Sequence, residues 1–143
     1  MAYEKKLIIA KILVSLGLCL LILAPLTVDF SATHMTSPDW TPHARFHLAA
    51  ASFGNIMALP IMLYAVWSKT LFGTGRSVRL MAYLGLAFTI GVFIAGALRP
   101  KMGAEYYDMG NQILIFGVDA NIMMKGIVFI LLILGIIMSI RRK

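Results

Sequence analysis

Five residues in one short stretch have the types and spacing to do chemistry: Asp29, His34, His43, Arg45 and His47. The segment from Asp29 to His47 holds all three histidines of the chain, two of its six acidic residues and one of its two tryptophans. His43 and His47 are four residues apart, so on a helix they share one face and can ligate a single ion. His34 or Asp29 could complete the set around a divalent metal such as zinc, copper or iron. The glutamate of the helical zinc-protease motif is absent between them, so the spacing alone does not specify that chemistry. A second reading is an anion pocket. Arg45 falls in the first turn of a predicted helix, where the macrodipole disfavours a cation. It calls for a carboxylate, Asp29 or Asp39, or for the phosphate or carboxylate of a ligand held by free N–H groups. His43 or His47 would then act as general acid or base. A third reading is structural: these groups pair with one another and with lipid headgroups. It is preferred for Arg99, Lys101 and Lys125. Haem is disfavoured because bis-histidine ligation needs facing helices, and His43 and His47 lie on one.

The elements that must position these residues are apolar to an unusual degree. Of 143 residues, 60% are hydrophobic and 13% charged, against roughly a quarter charged in soluble domains. A membrane span needs ~20 mostly apolar residues to cross ~30 Å of hydrocarbon. Four such spans are expected, at about 7–28, 42–68, 80–98 and 119–140, in one domain covering 1–143. The fold expected is an all-α integral membrane protein, an antiparallel four-transmembrane-helix bundle with a short, partly ordered outer cap. The run from Gln112 to Val118 is too short to span and reads as an outer strand or interfacial segment. Lys11 and Lys125 fall near span ends and are expected to snorkel to the nearer interface.

Charge sets the orientation. With both termini cytoplasmic, nine of the thirteen basic residues lie inside, while five of the six acidic residues lie outside, as the positive-inside rule requires. The plasma (inner) membrane is the expected location. The net charge of +7 is thereby a topology signal, and no nucleic-acid partner is implied. The single cysteine, Cys19, leaves no internal disulfide to brace the outer loops.

Local signals place the key segment. Ser37, Pro38 and Asp39 read as a turn; Trp40 suits the headgroup level; Thr41 and Pro42 read as an N-cap and first helical residue. The stripe of His43, His47, Ala51, Gly54 and Asn55 is expected to face other helices, since asparagine in a span seeks a partner. Two short outer loops would gather Asp29, His34, Asp39, His43, Arg45, His47, Arg99, Glu105, Tyr106, Tyr107, Asp108 and Asp119 at one end. Gly73 and Gly75 mimic a phosphate loop, but no strand precedes them.

The run Trp40, Thr41, Pro42, His43, Ala44, Arg45, Phe46, His47, preceded by Asp29, Thr33 and His34, resembles the signature of a family of small four-helix membrane proteins of unknown function, bacterial and fungal. The likeness covers Asp29 to Leu48 and the four-span pattern. It implies that Asp29, His34, His43, Arg45 and His47 matter, and it implies no activity. The expected function is an outward-facing His/Asp/Arg site for a hydrophobic or amphipathic small molecule or a lipid, with or without a bound metal. His43, His47, Asp29 and Arg45 are the candidate catalytic residues, and His34, His43, His47 and Asp29 the candidate metal ligands. Membrane lipids and a homo-oligomer or larger complex are the expected partners. The rival expectation is a non-catalytic subunit or assembly factor of a larger membrane complex.

Overall fold

A computed structural model of the protein describes residues 2–70, 74–105 and 112–141. The order is α1 (Ala2–Asp29), α2 (Pro42–Trp67), α3 (Thr74–Met102), a hairpin of β1 (Leu114–Ile115) and β2 (Val118–Asp119), and α4 (Ala120–Ser139). Each helix is long and apolar enough to cross a membrane. Two helices overrun the expected spans: α1 begins at Ala2 instead of Leu7, and α3 covers 74–102 instead of 80–98. The charged residues at these ends prevent burial in hydrocarbon, but they do not prevent helix, so a reading based on uncharged runs trims them.

Pro100 does not end α3. A proline removes the N–H that would bond the carbonyl four residues back, here that of Gly96. The Arg99 guanidinium donates to that carbonyl instead, at 2.8 Å, and the helix continues to Met102. Gly103 then takes φ +62, and the N–H of Ala104 bonds the carbonyl of Arg99 at 3.0 Å, a Schellman ending that only glycine enters without strain. The run from Gln112 to Val118, expected as an outer strand or interfacial segment, instead forms most of a hairpin. Leu114 pairs with Asp119 and Ile115 with Val118. Phe116 and Gly117 both have positive φ at the turn, the primed geometry that matches strand twist.

Helix α1 packs against all three other helices, most extensively against α4; α3 also contacts all the others, whereas α2 and α4 do not pack on each other. The core is a seam of Ala10, Val14, Leu18, Leu21, Ile22, Leu59, Met62, Val66, Val78, Ala82, Leu86, Val128 and Leu132. Glycines set the spacing along it. A Cβ on Gly135 would meet the Val14 side chain at 2.5 Å, and one on Gly85 would meet Leu132 at 2.9 Å and Leu18 at 3.0 Å. Near the start of α1, Lys11 reaches the end of α2. It is 8% exposed, with Nζ 5.4 Å from the centre of the Trp67 ring. The Trp67 indole N–H donates to Ser15 Oγ at 2.9 Å. A cation over an indole face is stabilised by the ring quadrupole, so Lys11 joins α1 to the end of α2.

Gly135 and Gly91 offer a direct test of this packing. Gly135→Ala should destabilise the protein by about 1–3 kcal/mol, because a branched buried side chain must move. Gly91→Ala meets nothing within 4 Å and should be neutral or stabilising by up to about 1 kcal/mol through helix propensity. Thermal unfolding in detergent measures both; equal effects would show that close approach at Gly135 does not hold the bundle.

Candidate functional site

The site is built where α1 ends. Chain reversal after Asp29 is made by overlapping turns: the N–H of Ser31 bonds the carbonyl of Val28, that of His34 bonds Ser31, and that of Met35 reaches back to Asp29 at 3.1 Å. Trp40 N–H closes on the Ser37 carbonyl at 3.3 Å, so Ser37 to Trp40 form the turn that Pro38 presets. Thr41 caps α2 with its hydroxyl accepting from Ala44 N–H at 3.2 Å, and Pro42 opens the helix. Arg45 ties loop to helix: its Nη2 donates to the Ser37 carbonyl at 2.6 Å. Its Nε is buried with no partner among the described residues. Within the chain, this early-helix cation is thus met by a carbonyl, where a carboxylate of Asp29 or Asp39, or an anionic group of a ligand, was expected.

Asp29 is the junction. Half-buried at the last residue of α1, its carboxylate accepts a hydrogen bond from Ser52 of α2 and lies in the field of Lys125 of α4 and of His34. Asp29 thus feels charge from α4, a helix that does not pack on α2. His34 is oriented by Thr33, with Nδ1 and Oγ1 2.9 Å apart, and by Trp40, whose ring centre is 5.1 Å away. A carboxylate, an ammonium, an imidazole and a hydroxyl therefore gather in an otherwise apolar bundle. Ionisable groups in apolar surroundings are costly unless they pair with one another.

His43 and His47 form a separate pair. Their Nε2 atoms are 3.0 Å apart, with ring centres at 4.4 Å in an edge-on arrangement. One nitrogen must donate and the other accept. Both residues are exposed, as are Ala51, Gly54 and Asn55. The stripe expected to face other helices therefore points away from them. The inward face of α2 is instead Ser52, Leu59, Met62 and Val66, with Arg45 half-buried one turn or two above. With this face packed inward and Ser52 toward Asp29, Asn55 turns outward.

Among the described residues no three of His, Cys, Asp and Glu come close enough to hold one ion. The four expected ligands divide into two pairs: His43 with His47, and Asp29 with His34. A metal–nitrogen bond of ~2.0–2.1 Å sets two ligand nitrogens about 3.0–3.4 Å apart, so the exposed histidine pair alone has the bite of a two-point chelate.

Other expected members are placed elsewhere. Asp119 caps α4, its Oδ1 accepting from Asn121 N–H at 2.9 Å. Asp39 is exposed, and Arg99 serves the end of α3. Tyr106, Tyr107 and Asp108 lie outside the described residues. Ser52 and Lys125 were not among the expected site residues. Lys125 carried a usable signal: a lone ammonium within an apolar span needs an acid, and Asp29 stands at the end of another.

Comparison with protein-family models, curated proteins and solved structures finds no match.

Two outcomes follow from this geometry. Asp29→Asn and Lys125→Met should each destabilise the protein, and the double variant should cost less than the two combined, with a coupling of about 0.5–3 kcal/mol. A double-mutant cycle on unfolding reads this directly, and additivity would mean that the two charges do not interact. For the histidines, a Cu²⁺ or Zn²⁺ titration should show one weak saturable site that disappears in His43→Ala and in His47→Ala, with thermal stability unchanged because both rings are exposed. Binding that survives either substitution would place the ion elsewhere.

Proposed function

We propose that this chain is an integral membrane protein, an antiparallel four-span bundle with both termini cytoplasmic, whose outward-facing His/Asp/Arg site receives a hydrophobic or amphipathic small molecule or a lipid. The observation that supports this reading most is the Asp29 junction. A carboxylate, held by Ser52 and set against Lys125 and His34, is costly in an apolar bundle unless its polarity is used. A ligand with a polar head and an apolar body suits such a place. Its head would exchange hydrogen bonds with Asp29, His34 and Lys125, and its body would lie along apolar helix surface. Arg45 orders the loop that covers the junction through the Ser37 carbonyl. The His43–His47 pair, one ring donating and one accepting, is exposed apart from the junction and would exchange protons with solvent or headgroups.

A second reading is a non-catalytic subunit or assembly factor of a larger membrane complex. The face of α2 carrying Phe46, Phe53, Met57, Ile61 and Tyr64 is more than half exposed at every one of these positions. Such a face is suited to a partner helix as well as to lipid.

One purification tests both. Wild type, Asp29→Asn and Arg45→Gln would be isolated in mild detergent, and their bound small molecules extracted and identified by mass spectrometry. The expected result is one amphiphile class enriched over bulk membrane in the wild type and depleted at least severalfold in both variants. An extract matching bulk lipid in all three proteins sinks the ligand reading. A stoichiometric protein partner retained by all three would favour the subunit.

A further inference from the structure

Where α1 and α3 begin and α4 ends, a cavity of about 940 Å³ is lined by Arg76, Arg79, Arg141, Tyr3, Tyr83 and Glu4, among others. Three guanidinium groups share it with one carboxylate, a surplus of positive charge within one concavity. Two of the three are held in place. Arg79 Nη1 donates to the Ser139 carbonyl at 3.0 Å, the same oxygen that accepts from the Tyr3 hydroxyl at 3.4 Å. The Arg141 guanidinium lies over the Tyr3 ring, 5.7 Å from its centre. Tyr3 is therefore the post around which both arginines are set. Its position depends on Gly75, because a Cβ there would meet the Tyr3 hydroxyl at 2.8 Å and the Ser139 carbonyl at 3.1 Å. Arg76 is exposed on the lining.

A guanidinium presents a planar fork of N–H donors matched to phosphate oxygens. Thr74, Gly75 and Arg76 also line the cavity. We propose that this cavity is a phosphate-binding site, with Arg76 and Arg141 gripping the anion and Arg79 and Tyr3 fixing its walls. The phosphate could arrive on the headgroup of an anionic phospholipid or free in solution. This site shares no residue with the Asp29 junction, so its test stands apart from the ligand reading above.

The full-length protein in detergent would be titrated with phosphatidylglycerol, with phosphatidylcholine and with inorganic phosphate, and bound species counted by native mass spectrometry. Wild type should prefer phosphatidylglycerol to phosphatidylcholine. Arg76→Gln and Arg141→Gln should each weaken phosphatidylglycerol binding roughly fivefold, the worth of one basic group at an anionic membrane surface, while Arg76→Lys should recover part of the loss. If inorganic phosphate displaces the lipid, the site accepts soluble phosphate. If phosphatidylglycerol binds with the expected variant dependence and inorganic phosphate does not compete, the headgroup is the source. Phosphatidylglycerol binding unchanged in both glutamine variants, or no preference for it with no phosphate bound, overturns the proposal.

Discussion

A chain that is apolar on nearly every helix face cannot use hydrophobicity to choose which faces meet. Here the choice is made by shape. Gly17, Gly85 and Gly135 leave gaps in α1, α3 and α4 that Leu132, Leu18 and Val14 fill, and small residues are the general means by which helices approach closely when lipid competes with protein for apolar surface. Because α1 takes part in every one of these fits, its two ends become fixed points. Asp29 stands at one of them, and the polar residues of α2 and α4 are brought to it.

Much of the fold could be read in advance. Long uncharged runs separated by loops gave four helices, and the starting points of α2 and α4 fell within a residue because each is marked by a side chain that caps the helix, Thr41 and Asp119. The start of α1 and both ends of α3 were misjudged for one physical reason: Tyr3 to Lys6, Gly75 to Arg79, and Arg99 to Lys101 are helical by propensity and by compensation, whatever their fit to hydrocarbon. Pro100 shows this best, since a stop signal was overridden by the preceding arginine.

The candidate site was legible in part. The pairing of His43 with His47 follows from helix periodicity. Their direction does not, because it depends on how α2 is rotated, and the buried side of that helix runs through Ser52, an unremarkable residue among alanines. Asn55 pointed to the opposite rotation. Asp29 was identified as important, yet its partners come from α2 and α4, and contacts between elements far apart in sequence are set by packing that no local pattern records. Lys125 was assigned to the interface because lysine stems commonly reach it; the acid at the end of α1 adds an opposite charge that acts on it.

Helix α2 is fastened to α1 at two places, through Ser52 at Asp29 and through Trp67 at Ser15. A rod secured at two separated points resists tilting far more than one secured at a single point. Beyond the Ser52 fastening, the helix overhangs by nine residues to His43, roughly 14 Å at 1.5 Å per residue. Arg45, bonded to the Ser37 carbonyl, ties that overhang to the loop after α1, so the angle at which the histidine pair projects is held by this third tie as well as by the two fastenings.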